Sequence, residues 1–367
     1  MKLKQLKILT SIILVIGIIF LTSFFIGNFE NDSSSFQYNE DFEILLIDKN
    51  YEKKSIPDIY YIILDEYSGN HSLIKDFDFD NSKFLNELET RGFIIPEKNF
   101  SNYPNTALSL PSMLNMQYME FLSEEIMEEK LNDLRPTKVL RENNLVIKNL
   151  KSQGYYVISF YSGADSVPLL VDEKPCNSRS MLLNFDKGSE ILCTFSEIPK
   201  ISKRVSEPLF VYSHMSLPHG PYIFDRDGND AVFNSENLNE ERDYYLEQLK
   251  FTNSKTIELI DLIIKEKSRT SIIILQSDHG QRIGVDWEKP TDDMIIQSLN
   301  NFNAYYLPDV EKDLIYDGMT PVNTFRIIFN AYFNQNFEIL EDRHFWVNSD
   351  REPYNFLEVT DIIDEFG

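Results

Sequence analysis

Four short segments carry side chains able to hold a metal ion or attack an ester. Leu64-Asp65-Glu66-Tyr67-Ser68-Gly69 delivers a carboxylate directly after a run of apolar residues. Ser277-Asp278-His279-Gly280 puts a hard oxygen ligand beside an imidazole, followed by a glycine that lets backbone approach closely. That pairing suits zinc or manganese better than calcium. Asn102-Tyr103-Pro104-Asn105-Thr106-Ala107 places a threonine where a helix would begin, and the N–H groups and dipole of a helix start stabilise an anion. His214-Met215-Ser216-Leu217-Pro218-His219-Gly220-Pro221-Tyr222 holds two histidines five residues apart around a proline. Histidines so spaced share no regular helix face, so a loop is expected to place both.

Each segment also has an ordinary reading. An acid after a strand is often merely solvated, a threonine at a helix start is commonly an N-cap, and Asp-His-Gly can be a strand-end turn with a satisfied histidine. A threonine nucleophile needs a base or a metal to lower its pKa, and the carboxylates above can hold that metal. The chain has five histidines, and three of them fall in two of these segments. His71 and His344 lack comparable surroundings and read as incidental.

Such groups need strand ends to bring them together. Ile59-Tyr60-Tyr61-Ile62-Ile63-Leu64 is a continuous apolar run, as expected for a strand buried on both faces. Residues 155–161, 208–213 and 271–276 read as further strands. Helical patterning covers residues 81–91, stopped by Gly92, and residues 137–153, stopped by Gly154. A long amphipathic helix covers roughly residues 239–267. Strands alternating with helices predict an α/β fold: a mostly parallel sheet with helices on both faces. Three of the four segments then sit at strand ends, where open α/β sheets bind ligands. No internal repeat is present, and the last sixty residues give few clear signals.

Residues 1–7 carry Lys2, Lys4 and Lys7, residues 8–27 carry no charge, and Glu30 and Asp32 follow. About twenty apolar residues cross a hydrocarbon core as a helix. The charge order keeps the N-terminus inside and exports the body. No A-x-A-like cleavage site follows closely, so an uncleaved single-pass anchor is expected rather than a signal peptide. Residues 28–55 read as a polar tether with Ser33-Ser34-Ser35, and residues 56–367 as the catalytic domain. Cys176 and Cys193 are the only cysteines, and in an exported body they are expected to pair as a structural disulfide. With 42% hydrophobic and 13% aromatic residues the body can bury a sizeable core, while a formal charge of −24 argues against a nucleic-acid partner.

Taken in order, strand with acid, threonine helix, histidine loop and Asp-His-Gly resemble the alkaline phosphatase and sulfatase superfamily over residues 57–308. The resemblance is nearest its sulfatase-like phosphoethanolamine and phosphoglycerol transferase branches. Thr106-Ala107-Leu108-Ser109-Leu110-Pro111 is similar to the transferase pattern of Thr, two residues, Ser, one residue, Pro. Asn303-Ala304-Tyr305-Tyr306-Leu307-Pro308 resembles a late strand of these domains. By resemblance, Asp65, Thr106, Asp278 and His279 hold the metal, with Glu66 as a further acid beside it. Thr106 is the nucleophile, and His219 contacts substrate or a second metal, with His214 assisting. The cofactor implied is a divalent metal ion, zinc or manganese before magnesium or calcium.

The resemblance therefore implies a cell-membrane enzyme with its catalytic domain extracytoplasmic. It would hydrolyse or transfer phosphate (di)esters of envelope lipid or glycan through Thr106. True sulfatases convert a Cys or Ser within Cys/Ser-x-Pro-x-Arg to formylglycine, and that motif is missing here. The alternatives are a sulfuric ester hydrolase and a noncatalytic exported scaffold, the latter expected to have lost ligands.

Overall fold

In the computed structural model, the described residues are 46–47, 56–126, 133–161, 168–176, 187–231, 237–266, 269–348 and 352–366. The anchor expected at 8–27 and nearly all of the tether lie outside them. Among the described residues, no helix is long and apolar enough to cross a membrane.

The chain runs β1 (Asp58–Leu64), α1 (Asn70–Phe77), α2 (Ser82–Thr90), α3 (Thr106–Asn115), α4 (Arg135–Glu142), α5 (Leu145–Ser152) and β2 (Tyr156–Tyr161). It continues through α6 (Lys187–Glu197), β3 (Leu209–Met215), α7 (Leu238–Glu266), β4 (Ser271–Gln276), α8 (Asp292–Leu299) and β5 (Asn303–Tyr306). α9 (Thr324–Phe333), the antiparallel pair β6 (Phe345–Asn348) and β7 (Glu352–Glu358), and α10 (Thr360–Phe366) complete it.

The strands of the main sheet lie in the order β2-β3-β1-β4-β5. β2, β3, β1 and β4 are mutually parallel, and β5 closes one edge antiparallel to β4. Every residue of β1, β3 and β4 is buried, which is why these runs are apolar on both faces rather than alternating. Tyr60, Ile62 and Leu64 pack with Leu73 of α1, Leu88 of α2, Ile191 of α6 and Leu249 of α7. On the opposite face Tyr61 meets Phe325 of α9 edge-on at 5.0 Å, and its hydroxyl oxygen lies 3.4 Å from Met113 Sδ of α3. At roughly 1.5–3 kcal/mol per fully buried large apolar side chain, β1 anchors both layers. Helices therefore cover both faces, as expected.

Gln276, the polar residue that ends β4, is fully buried and bonded on all sides. It accepts from Tyr61 Oη at 2.8 Å and donates to Tyr305 Oη and Thr324 Oγ1, each at 3.1 Å. From β1 the chain builds β2 and β3 on one side of the sheet before crossing to β4 on the other. That reversal of strand order leaves a crevice at the carboxyl ends.

One helix expectation is corrected. Residues 137–153 are not one helix: α4 stops at Glu142 and α5 restarts at Leu145. The Asn143-Asn144 pair breaks it, because Asn144 accepts from Ile147 N at 2.9 Å and so caps a new helix instead of continuing the old one. The last sixty residues, unread in the sequence, form α9, the β6–β7 pair and α10. Trp346, Val359 and Ile363 there join Ile295 and Leu299 of α8 in a small core. Cys176 and Cys193 are disulfide-bonded.

Candidate active site

Directly after β1 comes Asp65, whose N–H donates to Met215 O of β3 at 3.0 Å. Glu66 follows with φ 62°, in the left-handed region that non-glycine residues rarely enter. The turn it makes sends its N–H to Asp278 Oδ1 at 3.1 Å, tying the end of β1 to the end of β4. Such strain tends to cluster where side chains must be aimed. The Asp-His-Gly turn is stapled in the same way. Tyr67 N donates to Ser277 Oγ at 2.9 Å, and Ser277 Oγ donates to His279 O at 2.7 Å. A Cβ on Gly280 would lie 2.2 Å from Gln297 O, so only glycine lets α8 approach.

Thr106 is the first residue of α3 and not its cap. Asn105 caps the helix, accepting from Leu108 N at 3.0 Å. The threonine hydroxyl is thereby released from capping, and Oγ1 donates to Asp278 Oδ2 at 2.6 Å while lying 3.2 Å from His279 Nε2.

The two histidines of the 214–222 segment go to different places. His214 belongs to β3, not to a loop as the proline-containing spacing suggested, because the strand runs on to Met215. Its Nε2 lies 3.8 Å from Asp65 Oδ2 and 3.9 Å from Asp278 Oδ2. His219 does sit in the loop beyond, its N–H donating to Asp65 O at 3.2 Å and its Nε2 3.5 Å from Glu66 Oε2.

One residue escaped the sequence reading. Arg282, two positions after Gly280, donates from Nε to Glu66 Oε1 at 2.9 Å and from its backbone N at 3.2 Å, and its Nη2 lies 3.5 Å from His219 Nε2. A cation so soon after Asp-His-Gly, opposite a second acid after β1, was the available signal. Glu66, His219, Tyr222, Arg282 and Trp287 line a cavity of about 380 Å³ beside the cluster.

Electrostatics sort these groups. Burial, then the adjacent Asp278 charge, pushes the Asp65 carboxyl up to about 7. Burial also pushes Asp278 upward, but His279, His214, the Thr106 hydroxyl and the Glu66 N–H outweigh it and hold Asp278 below the usual range. Burial drives His279 down to about 4, so its ring is neutral. Because Gly280 O can only accept, His279 Nδ1 carries the proton at 2.8 Å and the Nε2 lone pair faces Thr106. Glu66 is held low, Arg282 and His219 overcoming its burial.

Ligand atoms of Asp65, Asp278 and His279 all lie within 4.8 Å of one another and are buried. Asp65 Oδ1 has no hydrogen-bond partner. The single Thr106 hydroxyl proton is committed to Asp278, which leaves the Nε2 lone pair of His279 facing another oxygen. Converging acceptors with too few protons between them fit a divalent cation, and the mixed carboxylate–imidazole set fits zinc or manganese.

A family profile described as Sulfatase matches residues 57–330, a span that contains every one of these groups. The chain belongs to the sulfatase family. No curated protein matches this sulfatase-family chain. Among solved structures, the C-terminal periplasmic domain of EcEptC from Escherichia coli is similar at a TM-score of 0.58 and 11% identity, covering 87% of this chain and 97% of that one. The same domain in complex with Zn gives 0.57 and 12%, covering 86% and 96%. The periplasmic domain of phosphoethanolamine transferase EptC from Campylobacter jejuni gives 0.53 and 15%, covering 78% and 92%. At such identities these likenesses speak to the fold alone.

Proposed function

We propose that this sulfatase-family chain is a metal-assisted hydrolase or transferase of phosphate (di)esters with Thr106 as nucleophile. The observation that carries the reading is the Thr106 hydroxyl itself, bonded to Asp278 at 2.6 Å and facing the neutral His279 ring at the start of α3. A divalent cation held by Asp65, Asp278, His279 and the Thr106 oxygen, zinc or manganese by ligand type, would supply Lewis-acid charge at the site.

The chain's own residues do the rest. Asp278 orients Thr106 Oγ1 and takes its proton as the Oγ1–phosphorus bond forms. First-turn N–H groups of α3 and the Arg282 guanidinium stabilise the phosphoryl oxygens. His219, whose ring is favoured in its charged form by Asp65 and Glu66 against the effect of burial, protonates the leaving alcohol as its bond to phosphorus breaks. His214 lies between the two carboxylates and fixes their spacing. Water then frees the phosphothreonine in a hydrolase, or an acceptor hydroxyl does so in a transferase.

Two alternatives have less support. Formylglycine formation needs a Cys or Ser, and Thr106 occupies the position, which disfavours a sulfuric ester hydrolase. A noncatalytic scaffold has no reason to keep Asp65, Thr106, Asp278 and His279 converged. An extracytoplasmic placement with residues 8–27 as anchor draws support from the Cys176–Cys193 disulfide, a bond suited to an oxidising compartment. The periplasmic origin of the similar domains points the same way. Envelope lipid or glycan phosphate is the substrate class this placement favours.

The test is turnover of bis-para-nitrophenyl phosphate by the full chain with zinc or manganese, against Thr106→Ala. A drop of about a thousandfold or more supports the reading; undiminished turnover in the variant ends it.

A further inference from the structure

A second cavity, of about 400 Å³, opens at Thr106 and shares no lining residue with the one at His219 and Arg282. Thr106 and Ala107 of α3 line it together with Asp133, Leu134 and one side of α4. Polar groups here are answered by the chain itself. Asp133 grips Arg135 through Nε–Oδ1 at 2.9 Å and Nη2–Oδ2 at 2.6 Å, and Thr137 Oγ1 donates to Leu134 O at 2.9 Å. Lys138 faces the Glu142 carboxylate at 3.9 Å. The side chains of Ala107 and Leu134 offer only carbon, and Leu134 keeps 44% of its surface exposed. Apolar surface beside a reactive hydroxyl fits a neutral, carbon-bearing group.

In-line displacement divides the two cavities between the parts of a substrate. Attacking and leaving oxygens stand on opposite sides of phosphorus. Thr106 Oγ1 is the attacking atom, and His219, which protonates the leaving alcohol, lines the other cavity. The leaving alcohol therefore occupies the His219 side. A cavity walled by the nucleophile itself is turned away from that alcohol, but it can take a group that stays on phosphorus. A monoester has no such group, because its remaining oxygens are bare. A diester has one.

We propose that the cavity at Thr106 is the subsite for the retained, uncharged alcohol substituent of a phosphodiester. The inference rests on the reading of Thr106 as nucleophile and deepens it. The Oγ1–phosphorus bond forms as Asp278 takes the hydroxyl proton. The opposite phosphorus–oxygen bond breaks, its electron pair leaving with the alcohol, which gains a proton from His219. The second ester bond stays intact, so the intermediate is a threonine phosphodiester whose carbon group remains in the cavity. Water or an acceptor hydroxyl then attacks opposite Oγ1, from the side the alcohol left; its proton goes to His219 while Oγ1 recovers the one on Asp278. Ala107 and Leu134 thus select the group released or transferred, and the His219 side admits donor and acceptor in turn.

Two substrates with one leaving group read this subsite alone. The full chain, with zinc or manganese, is given phenyl para-nitrophenyl phosphate and methyl para-nitrophenyl phosphate, and release of nitrophenolate is followed. Ala107→Leu fills the cavity from α3 and is expected to lower kcat/KM for the phenyl ester, relative to the methyl ester, by about tenfold or more. Leu134→Gln should lower the same ratio by about threefold, and at its exposed position it stands in if Ala107→Leu melts below wild type. General damage to the fold lowers both rates and leaves their ratio alone. An unmoved ratio overturns the proposal and leaves Thr106 as nucleophile. So does a wild type that turns over para-nitrophenyl phosphate but neither diester. Undiminished turnover in Thr106→Ala removes the nucleophile reading and this inference with it.

Discussion

Thr106 and Asp278, 172 residues apart in the chain, are joined by a 2.6 Å hydrogen bond from Oγ1 to Oδ2. Nothing local to either residue makes this contact. It exists because Asn105 takes over capping of α3 and because Glu66 N and His279 N, each at 3.1 Å, pin the other oxygen of Asp278. Serine offers the same Oγ, and valine offers the shape without it. Thr106→Ser should keep kcat/KM within about tenfold of wild type, while Thr106→Val should lose at least about a thousandfold. Equal rates for the two would show that the hydroxyl is not the reacting group.

Glu66 is 6% exposed, and Arg282 supplies two of its hydrogen bonds. Removing the guanidinium strands a buried charge, which typically costs about 3–5 kcal/mol, less here because the Arg282 side chain keeps 22% exposure. Arg282→Met should therefore lower stability more than Glu66→Gln/Arg282→Met does. Denaturant unfolding of both variants and of Glu66→Gln measures the difference, and a double-variant loss equal to the sum of the two single losses would mean the two groups are uncoupled.

Gly280 is constrained by neighbours and not by its dihedral. A methyl there meets Gln297 O at 2.2 Å and Asn300 O at 2.6 Å, both backbone atoms that cannot swing aside. Gly280→Ala is expected to push α8 from the Asp-His-Gly turn, costing about 1–3 kcal/mol of stability and loosening Asp278 with it. An unchanged melting temperature would show that the turn has slack.

His344 is 4% exposed, and its Nδ1–H donates to Ser101 O at 2.9 Å. Burial lowers its pKa below the ordinary 6.5, against the pull of Asp342 and other acids. A depressed histidine binds its proton less readily folded than unfolded. The stability it preserves is therefore full above pH 6.5 and drains as pH falls below that value. The wild-type unfolding midpoint should drop on acidification through this window, and His344→Gln should flatten the drop. Parallel pH profiles would remove His344 as the cause.

The parts of the fold legible in sequence were those that pattern alone dictates. β1 and β4 are largely apolar runs with an acid one or two residues beyond their ends, and α7 is a long amphipathic stretch, so the sheet and two rims of the site could be placed. Thr106 was found for its neighbours, although its freedom from capping depended on Asn105. His214 was assigned to a loop because the proline after it hid how far β3 extends. The break between α4 and α5 turned on which of two asparagines would cap. Arg282 gave a signal that went unread. β6 and β7 stayed hidden because β7 alternates weakly, with only Pro353 and Tyr354 buried in its exposed run.

The claim on which the rest depends is that Asp65, Asp278 and His279 hold a cation. Elemental mass spectrometry of the purified full chain after zinc or manganese supplementation tests it most directly, with Asp278→Ala alongside. The account predicts about one metal per wild-type chain, lost in the variant. Wild type and Asp278→Ala equally free of metal, or equally loaded with it, would contradict the site.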